Sequence, residues 1–377
     1  MKITVFSGVY PSSTKPNSGL FVEKLIVGLQ AKGHEITVIS PRPYPKDLMQ
    51  PYKECRKNIK IYYPKYINLP FSHKFSFISK IQNWFMWLNI KRIEQIHTSD
   101  LFYSHFVFPG TFLGSKASLM VKKPLVCSLG ESVLIPKTMR RGYENEIKKI
   151  LENVTIILCV SQKLQNQVRN LIANVSKVKY VPNGVDLSIF APRDKKESRK
   201  HLGLPLDSKI IGFVGTLSER KGYFKILKVL ESFSGKVKLA IASSQNADIK
   251  GDIVFCQSIP NEDVSVFLSA LDGFVFPTNN EGMSNALLEA MACGVPIVTT
   301  NLDFNREFLN QDNSILIDNI NEAELKRGVE LALNTEFSSK LSLNSIRDSR
   351  KFSLKNRVEN VEKSLIESLL IYIRERK

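Results

Sequence analysis

No stretch of this 377-residue chain stays apolar for the roughly 18 to 20 residues that a membrane-spanning helix needs. Cysteine is sparse: Cys55, Cys127, Cys159, Cys256 and Cys293 are scattered, odd in number and never arranged as CxxC. That excludes a disulfide framework and a zinc ribbon and leaves reduced, buried thiols. Asp-x-Asp does not occur, and no His or carboxylate cluster has metal-ligand spacing, so no metal site is expected. The opening MKITVFSGVY has too short an apolar run for a signal peptide, and the chain is expected to stay in the cytosol.

Acidic residues are scarce in one half only. Residues 1 to 185 hold 10 Asp and Glu against 27 Lys and Arg, which accounts for the whole formal net charge of +17; residues 186 to 377 hold 26 of each sign. Such asymmetry points the first half at a polyanion: nucleic acid, an anionic membrane surface or a phosphorylated substrate. No zinc finger or RNP-like aromatic signature is present, so no nucleic-acid partner is expected.

At 43% hydrophobic and 24% charged residues, the chain has the composition of a globular protein, and its length points to two domains, with three as the upper limit. ITVFSG (3 to 8), the helically spaced LFVEKLIVGLQA (20 to 31) and EITVIS (35 to 40) form a strand, helix and strand, with Gly33 closing the helix. The alternation returns in KIIGFVG (209 to 215), a helix near 221 to 232, VKLAIA (237 to 242), DIVFC (252 to 256), a helix from about 262, and GFVFP (273 to 277). The fold class is therefore α/β, with two doubly wound domains. Residues 186 to 205 combine prolines with a charge run and no sustained apolar period, and read as a linker. Residues 353 to 376 are helical in period through Leu354, Val358, Val361, Leu365 and Leu369, with no packing partner legible.

The densest signal is GFVFPTNNEGMSNALLEAMACGVPIVTT, 273 to 300. A strand ends at Pro277, a polar loop carries Glu281 and Gly282, and a helix begins near Ser284. Ligands of open α/β sheets bind beyond the carboxyl ends of strands, where a helix N-terminus offers backbone N–H groups to phosphate. Gly282, Met283, Ser284 and Asn285 would be that cradle. Glu281 and Glu289 flank it, eight steps apart, about 12 Å if helical. Two carboxylates at that separation could each take a hydroxyl pair from a sugar at either end of a diphosphate. Taken alone, they read as a capping carboxylate and a solvated helix Glu.

EGMSNALLEAMACGVPIV resembles the E-x7-E donor signature of retaining glycosyltransferase family 4, a family of GT-B architecture. Further segments follow in that family's order: PNSGLFVEKL (16 to 25), YSHFVFPG (103 to 110), VPNGVD (181 to 186) and FVGTLSERKG (213 to 222). The resemblance implies two facing Rossmann-like domains: 1 to 188 on the acceptor side, 189 to 352 for the nucleotide-sugar, and a helix from 353 to 377, a return to the N-terminal domain being one option. It implies retaining, metal-independent transfer of a sugar from a UDP- or GDP-sugar donor to a hydroxyl, with no cofactor. Carried over by position, Glu289 would hold the nucleotide ribose, Glu281 the transferred sugar, and Lys221 the diphosphate. Lys221 reads as an exposed turn lysine able to neutralise the leaving group. Gly19 would approach the diphosphate, and His105 would position the sugar without acting as nucleophile.

Two positions depart from the family pattern. Thr216 stands where relatives carry Arg, with Arg220 as substitute, and Leu129 stands where His is common. Gly130 and Glu131 are candidate acceptor contacts.

Residues 59 to 93 contain both tryptophans, interleaved with Lys74, Lys80, Lys91 and Arg92. The pattern suits a segment lying in a lipid headgroup interface and equally a core helix with solvated lysines; the basic charge tips the reading to a membrane. The expectation is a cytoplasmic glycosyltransferase at the inner face of the plasma membrane, extending a lipid-linked glycan in surface-polysaccharide synthesis. A nucleotide-sugar epimerase or phosphorylase on the same fold, or a basic nucleic-acid binder, are the alternatives.

Overall fold

The computed structural model describes residues 1–45, 49–69, 76–135, 143–245 and 251–376. It divides into an N-terminal unit, Met1–Pro182 with Arg357–Lys377, and a C-terminal unit, Asn183–Asn356.

In chain order the N-terminal unit contains β1 (Lys2–Ser7), α1 (Leu20–Ala31), β2 (Glu35–Ile39), β3 (Arg42–Tyr44), β4 (Lys53–Arg56), β5 (Ile59–Tyr62), β6 (Lys65–Ile67), α2 (Ser76–Ile90), α3 (Glu94–Thr98), β7 (Leu101–His105), α4 (Phe112–Val121), β8 (Leu125–Leu129), α5 (Tyr143–Glu152), β9 (Ile156–Cys159), α6 (Gln162–Leu171) and β10 (Val178–Tyr180). Its main sheet runs β10-β9-β8-β7-β1-β2-β5-β4, parallel except for β4 against β5. β7, β8 and β9 are buried along their whole length, as expected of parallel strands covered on both faces. Residues 59 to 93 become β5, β6 and α2; Lys74 lies outside the described residues. Met86 and Ile90, one turn apart on α2, enter the core, while Trp84 and Phe85 stay exposed.

The C-terminal unit contains α7 (Lys195–Leu202), β11 (Lys209–Val214), α8 (Tyr223–Glu231), β12 (Val237–Ala242), β13 (Ile253–Gln257), α9 (Val264–Ser269), β14 (Gly273–Phe276), α10 (Asn285–Cys293), β15 (Ile297–Thr300), α11 (Asp303–Arg306), β16 (Ile315–Ile317), α12 (Glu322–Leu333) and α13 (Thr335–Ser349). Its sheet is parallel throughout, in the order β13-β12-β11-β14-β15-β16. In both sheets the strand order reverses beside the first strand, at β1/β7 and at β11/β14. These are the two crevices where an open α/β sheet accepts a ligand. Among the described residues no helix is long and apolar enough to cross a membrane.

The last helix, α14 (Leu354–Arg374), has a partner that its sequence does not reveal. From Arg357 onward it packs on the N-terminal unit: a Cβ at Gly28 on α1 would sit 2.5 Å from Val358 Cγ2. The buried Arg357 guanidinium donates to the carbonyls of Val181 and Pro182.

The segment 186 to 205 is not a bare linker. Asp194 caps α7 through the Glu197 N–H, and Gly203 ends it at φ 68°. What buries the helix is a charge, which is why no apolar period announced it. Arg199, 3% exposed, donates to the carbonyls of Leu206, Ser208 and Ala270 and to Asp272 Oδ2 at 2.7 Å. Burial pushes the Asp272 carboxyl up. Hydrogen bonds from Lys195 and the Ile210 N–H, with the charges of Lys195 and Arg199, outweigh that and hold it below the usual carboxylate range.

Removing Arg199 leaves Asp272 with only the Lys195 ammonium and the Ile210 N–H, and takes the guanidinium donor from three carbonyls. Arg199→Ala is expected to destabilise the C-terminal unit by about 3 to 5 kcal/mol, read as a lowered urea midpoint. A change below about 1 kcal/mol would mean that Arg199 is solvated in solution.

Candidate functional site

The C-terminal crevice is built on glycines. β11 ends at Val214, and Gly215 follows at φ 129°, its N–H bonded to the Ala242 carbonyl. A Cβ there would lie 2.6 Å from Lys221 Nζ, so the lysine crosses the space that any other residue would fill. Lys221 closes a short helical turn, Glu219–Lys221, and Gly222 turns the chain at φ 75° with its Cα against Pro277; a Cβ would meet the Pro277 oxygen at 2.5 Å. The ends of β11 and β14 are thereby pressed together.

Lys221 is not the exposed lysine that the sequence suggests. Its ammonium lies 5.2 Å from the centre of the Phe276 ring, at the end of β14. Burial lowers its pKa; nearby Glu281 opposes that shift and Arg220 adds to it. Arg220 Nη1 donates to Glu281 Oε1 at 2.8 Å and to the Asn280 carbonyl at 2.6 Å, and its own carbonyl accepts from Asn279 N–H. Ser218 Oγ, one turn earlier, is buried without a hydrogen-bond partner. Two cations, a carboxylate and an orphaned hydroxyl therefore share one crevice. Ser218 and Phe276 carry no site signal in the sequence, whereas Gly215 has one in its place directly after an apolar strand.

The loop continues into α10. Gly282, Met283 and Ser284 are buried, and Ser284 Oγ accepts from the Leu287 N–H as the helix cap. Met283 is anchored by Asn183, whose Nδ2 donates to the Met283 carbonyl at 3.0 Å and whose N–H points at the Met283 sulfur. Asn285 opens the helix and Glu289 follows one turn on, both half-buried. Burial, and then the Glu289 charge, push the Cys293 thiol up to about 12. Cys293 is thus an inert packing residue.

The N-terminal crevice has different chemistry. Ser7 and His105 are register partners at the carboxyl ends of β1 and β7. The His105 ring is 3% exposed, packs edge-on against Tyr103 at 4.8 Å, and its Nε2 has no hydrogen-bond partner. Burial, with the Arg357 charge, pushes its pKa down to about 3, so the ring is neutral. A tight turn follows: Phe106 sits at φ 62°, and Gly110 packs so closely that a Cβ would be 2.1 Å from the His105 carbonyl. Glu131 holds this turn. One of its carboxylate oxygens accepts from Val107 N–H and the other from Gly130 N–H. Gly19 caps α1 at φ 75°, where a Cβ would come within 2.8 Å of Val9. The loop after β1 and the start of α1 touch there because Gly19 has no side chain.

Two family models match the chain in succession: Glycosyltransferase Family 4 over residues 19–189 and Glycosyl transferases group 1 over residues 194–352. A putative teichuronic acid biosynthesis glycosyltransferase, TuaC of Bacillus subtilis strain 168, is 32% identical over 337 residues, 84% of this chain and 85% of its own length. The capsular polysaccharide biosynthesis glycosyltransferase CapM of Staphylococcus aureus is 25% identical over 58% of this chain and 62% of its own. Among solved structures, sucrose-phosphate synthase from Thermosynechococcus elongatus superposes with a TM-score of 0.79 at 16% identity, covering 98% of this chain and 100% of its own. HepE of Anabaena, in complex with UDP and glucose, gives 0.75 at 17% identity, over 97% of this chain and 99% of its own. At these identities the structures establish the fold, which is GT-B.

The buried neutral histidine carries a pH dependence whose sign is fixed. An unfolded imidazole titrates near pH 6.5, whereas the folded ring stays neutral down to about 3. Between those values the unfolded chain holds the extra proton, so stability falls as pH is lowered, by up to about 1.4 kcal/mol per unit from this residue. In urea unfolding across that window, His105→Asn is expected to show a correspondingly shallower slope. An unchanged slope would mean that the folded ring takes up a proton.

Proposed function

The chain belongs to glycosyltransferase family 4, and on that footing we propose that it moves a sugar from a nucleoside diphosphate donor to a hydroxyl of a lipid-linked glycan, with retention of configuration and without a metal. The observation that carries this reading is the convergence of Arg220, Lys221 and Glu281 at the β11/β14 crevice, followed at once by the capped start of α10. Cations and a helix N-terminus are what a diphosphate needs; a carboxylate beside them is what sugar hydroxyls need.

In this reading Lys221 faces the diphosphate, and its partial burial makes its charge more effective than it would be in water. The anomeric C–O bond to the diphosphate breaks as the acceptor oxygen bonds to the same face of that carbon. The hydroxyl proton passes to the departing diphosphate. Arg220 supplies the second cation that Thr216 cannot. Glu281 binds hydroxyls of the transferred sugar and Glu289 those of the ribose. Gly282, Met283, Ser284 and Asn285 present the backbone that follows the phosphates. On the N-terminal unit, His105 offers an unpartnered, neutral ring nitrogen to a sugar hydroxyl, and Gly19 leaves backbone accessible to a phosphate oxygen. Glu131 and Gly130 shape the turn after His105 and so act on the acceptor side through it. TuaC and CapM, by their names, serve teichuronic acid and capsule synthesis, and HepE binds UDP and glucose. These support a UDP-sugar donor and a surface-polysaccharide product; the reading adds work at the inner face of the plasma membrane, where a lipid-linked acceptor would lie.

Titration calorimetry with UDP, GDP and their sugars tests the donor assignments. Glu289→Ala is expected to weaken binding of the free nucleoside diphosphate by about tenfold, or 1.4 kcal/mol. Glu281→Ala should leave that affinity within a small factor while lowering transfer by about a hundredfold or more. Undiminished transfer by Glu281→Ala would remove it from the site, and donor turnover without any acceptor would point to an epimerase.

A further inference from the structure

Away from both crevices, the N-terminal unit carries a groove of about 590 Å³ between α2, α4 and α5. That volume lies in the range of about 300 to 1,000 Å³ typical of small-molecule sites. Each helix contributes one face. Lys80, Asn83, Trp84 and Trp87 follow at helical spacing on α2; Phe112, Lys116 and Leu119 do so on α4; Lys149 and Ile150 come from α5.

Three features of the lining belong together. Both tryptophans of the chain face the groove. Lys80, Lys116 and Lys149 stand around it, and among the described residues none pairs with a carboxylate; Glu146 is the one acidic side chain in the lining. Lys116 instead leans toward the Phe112 ring, 6.0 Å from its centre. Asn83, only 8% exposed, brings a side-chain amide to the same lining. Its amide can both donate to and accept from a ligand lying in the groove.

Apolar side chains in the lining and beside it in sequence stand in water. Trp84 is 56% exposed, Leu119 57%, Phe85 46% and Met120 40%. A soluble ligand would leave these side chains in water, whereas a bilayer would cover them. Three cations with no carboxylate partner among the described residues, in the half of the chain (1 to 185) that holds the +17 charge, set the sign of the headgroup.

We propose that this groove binds a phosphate-bearing membrane lipid, its phosphate between Lys80, Lys116, Lys149 and the Asn83 amide, its chain along Trp84 and Trp87. The assignment rests on reading the acceptor as lipid-linked, and extends it: the N-terminal unit grips a lipid phosphate at a defined place instead of adhering through diffuse charge.

The two tryptophans make the test direct, because their fluorescence reports this groove and nothing else in the chain. The full chain is titrated with mixed phosphatidylcholine and phosphatidic acid vesicles in which either one lipid or the other carries brominated, quenching chains. Brominated phosphatidic acid is expected to quench several-fold more than brominated phosphatidylcholine at equal membrane composition. Lys116→Glu/Lys149→Glu should abolish the difference and weaken vesicle binding by about tenfold or more, and Asn83→Leu should reduce the difference while preserving vesicle binding. Inorganic phosphate alone should neither quench nor compete. Equal quenching by the two lipids, or none, in the wild-type chain overturns the proposal whatever the variants do. So does an unchanged preference in a lysine variant that still binds UDP calorimetrically. Donor titration reads the other unit: absence of binding to both UDP and GDP with the lipid preference intact counts against the donor-site reading alone, and the reverse result counts against the groove alone.

Discussion

Reversal of strand order in each parallel sheet is the constraint from which the rest follows. At β1/β7 and β11/β14 the chain leaves neighbouring strand ends in opposite directions, and the gap between them cannot be filled by the connections themselves. What fills it must be loop backbone brought unusually close, so the residues there are glycines that nothing else can replace. Gly19 lies against Val9, Gly110 against the His105 carbonyl, Gly215 under Lys221 and Gly222 against Pro277. Functional side chains then project from a frame with little freedom to move.

The two crevices use burial in opposite ways. In the N-terminal unit it keeps a histidine neutral, with a nitrogen left over for a ligand. In the C-terminal unit it brings an ammonium against an aromatic face and beside a second cation, an arrangement whose mutual repulsion a bound dianion would relieve. Elsewhere, two buried charges are paired with opposite ones: Arg199 with Asp272, besides three carbonyls, and Glu23 with Arg56 and Lys57. Each crevice holds an unsatisfied buried polar atom, His105 Nε2 in one and Ser218 Oγ in the other.

Much of this was legible in the sequence because it is written in short-range signals. Apolar runs bounded by glycine gave β1, β11, β12 and β14 nearly to the residue, and the polar loop before α10 marked the crevice. The failures share a cause. α7 reads as linker because its burial depends on Arg199, and a charged residue leaves no hydrophobic period. Lys221 reads as exposed because its cover comes from Phe276, fifty-five residues away in sequence. The partner of α14 was unreadable because Gly28, on the facing helix, signals its role by having no side chain. Long-range pairings of this kind belong to the fold and not to any local pattern.

The path of the chain adds a last consequence. The C-terminal unit is an insertion: the chain enters it at Asn183 and leaves it at Asn356, while α14 returns to the N-terminal unit. Its two ends are stitched together, Val185 bridging Ser353 in parallel, with the Val185 N–H on the Phe352 carbonyl and the Leu354 N–H on the Val185 carbonyl. The stubs of the N-terminal unit are tied likewise, by Arg357 on Pro182. Each unit therefore closes on itself at the junction, as a cassette does. Genetic excision of the insert, with Pro182 rejoined to Arg357 by a short flexible peptide, would leave a complete sheet and its covering helices on either side of the cut.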